Sequence, residues 1–188
     1  MRVIARRSIP AGLLVAAAAL VLASCSGEVT LSFGGRSADD AAVDLIEGDL
    51  AVQLGLGPLE ANCQAVEDPE VGDTFPCTAF TEAAETVRFA GVVEDEDSIE
   101  VTSENVILAD ALPVVEAAAV EALESATGMT LGVENFDCGD RSVIVDLGGT
   151  LDCVLTDPGN GDRYAATVTV NSREPLNIDV AVGEAPLG

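Results

Sequence analysis

Four stretches of the chain alternate strictly between apolar and polar positions: "TVRFAGVV" (86–93), "IEVTSENV" (99–106), "YAATVTVN" (164–171) and "LNIDVAV" (176–182). Alternation over such lengths places one face of a strand on a core and the other in water, so each stretch predicts a half-buried β-strand. Two other stretches repeat their apolar residues every three or four positions, the spacing of one helix face. In the first, Val43, Ile46, Leu50 and Leu54 form the stripe, Ser37 can cap it and Gly55 stops it. In the second, Leu112, Val115, Ala119 and Leu123 form the stripe, with Asp110 as a cap, Pro113 in the first turn and Gly128 as the stop.

The order helix, strands, helix, strands is reinforced by a local repeat. "NCQAVEDPEVGDTFPCTAF" (62–80) aligns with "DCGDRSVIVDLGGTLDCVL" (137–155). Both show a cysteine, a variable turn, and then Gly-(Asp/Gly)-Thr-(Phe/Leu)-X-Cys. Two tandem copies explain this spacing better than one irregular domain. A helix burying one stripe and a sheet burying one face are satisfied by laying the first across the second. The expected fold is therefore α+β: two tandem repeats, each a helix packed on a small antiparallel β-meander. "EDEDS" (94–98) and "DPGNGD" (157–162) read as turns, and Pro76, inside a predicted strand, suggests an edge strand or a bulge.

Five cysteines punctuate the sequence: Cys25, Cys63, Cys77, Cys138 and Cys153. The last four allow three pairings. The repeat selects Cys63 with Cys77 and Cys138 with Cys153, because a disulfide internal to each copy lets one fold as the other does. Cys25 is left over, and its setting is distinctive. Arg2, Arg6 and Arg7 precede a run of about a dozen apolar or small residues, the length of a signal-peptide core and too short to span a bilayer. The run ends in Leu22-Ala23-Ser24-Cys25, which resembles the lipobox of bacterial lipoproteins. The resemblance implies removal of the leader and acylation of Cys25, and two or more acyl chains anchor a protein stably. The expected organisation is a signal peptide at 1–24, lipidated Cys25 with a flexible tether to 37, a first repeat at 38–108 and a second at 109–188.

Charge and composition narrow the function classes. The net charge is −25, with 33 acids against eight arginines and no lysine. Such a surface repels phosphate backbones and excludes nucleic-acid binding as a function. It also repels anionic headgroups, so the acyl anchor must provide the membrane attachment. No histidine is present. Ser-His-Asp and Cys-His nucleophiles and the commonest zinc ligand are thereby ruled out, and the absence of lysine rules out Schiff bases. No catalytic, cofactor-binding or metal-ligating residues are assigned, and no cofactor is expected. The acidic turns at 94–98 and 157–162 lack calcium-loop spacing and read as solvated hairpin tips.

The helix, the cysteine, the Gly-Asp-Thr-Phe-X-Cys element and the alternating valines together resemble the domain of unknown function 4333, found in small lipoproteins of high-GC Gram-positive bacteria. The likeness covers residues 38–106 and 112–182, with Gly149 and Leu151 replacing the Asp and Phe in the second copy. The family brings no activity and no site residues. The function expected is a membrane-anchored extracytoplasmic lipoprotein of the cell envelope, a non-enzymatic acidic module that binds an envelope protein or wall component. The alternatives are a lipid or small-ligand carrier with an apolar pocket between helix and sheet, and a carboxylate-dependent enzyme.

Overall fold

The computed structural model describes residues 4–5, 28–32 and 35–187. The leader core and Cys25 lie outside the described residues, apart from a two-residue strand, β1 (Ile4–Ala5). The chain divides into two units. The first is Ser26–Asp110 with Arg141–Ile144; the second is Ala111–Asp140 with Val145–Gly188 and the N-terminal Met1–Cys25. Each holds a five-stranded antiparallel sheet with a helix against it, the α+β repeat that the periodicities predict.

The first unit opens with a departure from expectation. Within the segment read as a free tether, β2 (Glu28–Ser32) pairs with the last long strand of the sheet, Leu31 opposite Ile99. Glu-Val-Thr-Leu-Ser alternates like a strand, and five residues are enough because the partner edge, distant in sequence, is already formed. Ser37 then caps α1 (Ala38–Leu45), its hydroxyl accepting the Asp40 N–H. A π-helical turn, Ile46–Leu50, leads into α2 (Ala51–Leu54), and Gly55 ends it in the left-handed region at φ 65°. The π-turn explains the buried stripe. Continued α-helix would carry Asp49 to the face that holds Ala38, Ala42 and Leu45, whereas one extra residue brings Leu50 there instead. Ile46, Leu50 and Leu54 are fully buried as expected; Val43 is only half-buried because the alanines before it occupy the sheet-facing side.

β3 (Leu59–Cys63), β4 (Thr74–Thr81), β5 (Thr86–Asp95) and β6 (Ser98–Ser103) follow, in the sheet order β2-β6-β5-β4-β3. Pro76 lies in β4, which is not an edge. It is nevertheless tolerated, because β3 ends at Cys63, one residue short of the position opposite Pro76. The Pro76 carbonyl accepts the Gln64 N–H at 3.0 Å, and its missing donor faces no strand partner. After β6 the chain turns inward. Asn105, 1% exposed, accepts the Arg88 N–H and donates to the Thr86 carbonyl, closing that end of the sheet. β7 (Val106–Ile107) completes the segment.

A 3-10 turn at Ala109–Ala111 leads into α3 (Leu112–Thr127). Asp110 is therefore inside the turn and does not cap. Ala111 holds the cap position without a side-chain hydrogen bond, while the Ser142 hydroxyl accepts the Ala109 N–H. Leu112, Val115, Ala119 and Leu123 are all buried, and Gly128 ends the helix at φ 69°. β8 (Phe136–Asp137) comes next. β9 (Val143–Ile144) then pairs with β7, so four residues between Cys138 and Cys153 belong to the first unit. β10 (Thr150–Thr156), β11 (Arg163–Arg173) and β12 (Leu176–Pro186) form the second meander, in the order β1-β12-β11-β10-β8. The two acidic turns are not equivalent in the repeat: 94–98 joins β5 to β6, and 157–162 joins β10 to β11.

The units match by register and differ in how they fill space. Phe75 stands opposite Gly91, and at the equivalent positions Leu151 stands opposite Val168. A Cβ added at Gly91 would lie 2.4 Å from the Phe75 ring, too close to be accommodated without movement of a buried side chain. One unit thus uses a large and an absent side chain, the other two of middle size. Gly91→Val should destabilise the protein by about 1–3 kcal/mol through overpacking. Phe75→Leu in the same chain should recover most of that loss in a denaturant midpoint, since together they recreate the Leu151–Val168 pair; additive losses would show that the two positions do not share space.

Candidate functional site

Each repeat is fastened where its short edge strand meets the meander. Cys63 is bonded to Cys77 and lies directly opposite it, with Cα atoms 4.0 Å apart. Cys138 is bonded to Cys153 with Cα atoms 4.1 Å apart, continuing the β8–β10 register that pairs Asp137 with Val154. Both spacings fall just under the usual disulfide range because the bonds join facing residues of non-hydrogen-bonded pairs, where the backbones approach most closely. The pairing is the one selected by the repeat. The edge strands are also held from the helix side by carboxylates. Glu47 accepts the Ala61 N–H at 2.8 Å, and Glu116 accepts the Cys138 N–H at 2.9 Å. These acids occupy outward-pointing edge donors that would otherwise invite another strand.

No acid is among the buried polar residues, which in the described chain are Ser98, Ser103 and Asn105. Among the described residues no three Asp, Glu, Cys or His side chains are grouped to hold a metal. In the turn at 94–98, Asp95 accepts the Asp97 N–H at 2.9 Å. In the turn at 157–162, Asp157 accepts the Gly159 N–H at 2.7 Å, and Asn160 and Asp162 hydrogen-bond each other. Both stretches use their carboxylates to shape a hairpin tip.

The second unit contains a cavity that the sequence did not disclose. It measures about 190 Å³ and lies between the C-terminal end of α3 and the sheet. Leu123 and Thr127 come from the helix, Leu155 from β10, Tyr164 from β11, Val182 from β12 and Asp157 from the β10–β11 turn. Thr127 is committed to the helix end: its hydroxyl donates to the Leu123 carbonyl at 2.7 Å and accepts the Met129 N–H at 3.2 Å. The lining is apolar, with Asp157 as its one carboxylate.

Register identifies why the first unit is filled there. Leu54, Ala79, Val87 and Ser103 are the counterparts of Thr127, Leu155, Tyr164 and Val182, and all four are buried. Phe89, 1% exposed, is the counterpart of Ala166. The first unit thus has a large buried ring where the second has a methyl group, and its chain folds over the end through Asn105. In the second unit β12 continues to Pro186, with a register shift against β11 between the Ala166–Val182 and Tyr164–Pro186 pairs.

No family model matches the chain, and neither does any curated protein or solved structure.

Asp95 supplies a test of the hairpin-tip geometry. Its carboxyl is held below the usual aspartate value of 3.8, first by the Asp97 backbone N–H and then by the Ser98 side chain, both of which favour the ionised form. A folded-state pKa below the unfolded one contributes stability that is present above the unfolded value and lost as pH falls through the folded one. The Asp95 carboxyl carbon should therefore titrate with a midpoint under 3.8 by NMR. Asp95→Asn should abolish that site's share of the acid-side loss; a normal midpoint would mean the turn is not closed by this residue.

Proposed function

We propose that this chain is an extracytoplasmic lipoprotein, held on the outer face of the cell membrane by acyl chains on Cys25, and that it serves the cell envelope as an acidic interaction module. The observation that carries the reading is the cysteine arrangement. Two disulfides use Cys63, Cys77, Cys138 and Cys153, which suits an oxidising compartment. Cys25 is then the fifth cysteine, placed where the lipobox-like leader ends. No helix among the described residues is long and apolar enough to cross a membrane, and two or more acyl chains on Cys25 would anchor the protein stably. The motif resemblance to the domain of unknown function 4333 supports the same compartment.

The interaction reading rests on what the scaffold offers. Its acids are at the surface, its chain lacks histidine and lysine, and the described core contains no carboxylate pair. A non-catalytic protein with so one-sided a charge recognises its partner by complementary potential, an envelope protein or wall component bearing positive charge. A small-ligand carrier is the second reading, favoured by the cavity beside α3. Its size argues against a whole lipid, since ligand pockets commonly run about 300–1,000 Å³.

Cys25→Ala should abolish lipid labelling and leave an unprocessed precursor or a soluble form, read by membrane fractionation. Crosslinking on intact cells should then capture an envelope partner with the anchored protein and lose it in the variant. Lipid labelling unchanged by the substitution would remove the lipoprotein reading.

A further inference from the structure

We propose that the cavity of the second unit is a binding site for a compact hydrophobic ammonium, an aromatic or branched-alkyl body carrying one cationic head. The size fits such a body: a cavity of about 150 Å³ lined by apolar side chains accepts benzene, and this one, open to solvent on one side, measures about 190 Å³. The fold does not require the opening, because the counterpart positions of the first unit, Leu54, Ala79, Val87 and Ser103, are all buried. Charge sets the head group. Asp157 is the one carboxylate in the lining, and its Oδ1 accepts the Gly159 N–H. The chain's charge of −25 adds a field that attracts cations and repels fatty acids and other carboxylates. An apolar wall with one acid among its residues thus favours an amphiphile whose body is buried and whose head stays wet.

The inference deepens the binding reading of the preceding section but does not depend on acylation at Cys25, so the two fail separately. The test uses the full chain in zwitterionic lipid nanodiscs, with methyl-labelled leucine, valine and methionine observed by NMR. Benzylamine, toluene and benzoate are the probes. Benzylamine should shift the Leu155, Val182 and Met129 methyls saturably, with toluene weaker by about tenfold and benzoate weaker still, tenfold being the effect of about 1.4 kcal/mol. Asp157→Asn should bring benzylamine to the level of toluene. Val182→Phe should fill the cavity and abolish both shifts; should that variant fail to fold, Leu155→Phe tests the same space from β10. Equal binding of benzoate, no saturable shift with benzylamine, or full binding in a folded cavity-filled variant would each overturn the proposal.

Discussion

A strand of two to five residues set beside a longer neighbour has few ladder bonds to hold it, and in each repeat such a strand forms the sheet edge beneath the helix. The facing cysteines supply what the ladder lacks. By joining Cys63 to Cys77 and Cys138 to Cys153, they fix the edge strand in register, and in a chain-entropy model loops of this length contribute about 3 kcal/mol each. Units of this size bury limited core, so this covalent contribution is a large part of what keeps helix and sheet together. Once the edge is fixed, the carboxylates of Glu47 and Glu116 can reach from their helices to its outward N–H groups. Part of the acidic excess is therefore structural, spent on backbone donors before any partner is considered.

The same framework tolerates different interiors. Phe75 and Gly91 in one unit correspond to Leu151 and Val168 in the other, an exchange of one large and one absent side chain for two of middle size that keeps the fold. Elsewhere the interiors diverge: Phe89, Ala79, Val87 and Ser103 of the first unit stand where Ala166, Leu155, Tyr164 and Val182 stand in the second, and the cavity lies at that end of the second unit. Duplicated units so similar in topology separate the demands of folding from those of binding. What both retain is needed for the architecture, and what one has given up is free for another use.

Much of the architecture was legible in the sequence because it depends on short-range patterns. Alternation located β5, β6, β11 and β12, and the stop signals at Gly55 and Gly128 were correct because a left-handed cap needs a residue without a Cβ clash. Features set by distant partners were not legible. β2 becomes a strand because β6 presents an edge to it, the π-turn restores a stripe that only the packed sheet defines, and Asp110 loses its capping role to a 3-10 turn that meets Ser142. The cavity depends on side chains from a helix end, a turn and three strands, a combination that no single window of sequence contains.

The pairing of β7 with β9 bears on the order in which the molecule can be made. A chain made N-terminus first presents Cys63 and Cys77 well before Cys138, so the first disulfide has no competing thiol except Cys25. The first unit still cannot finish: Val106 and Ile107 wait for Val143 and Ile144, which arrive only after α3 and Cys138 have followed. Completion of the early half is thereby deferred to the late half, and a chain stalled between them would keep an unsatisfied strand edge on which quality-control proteases can act.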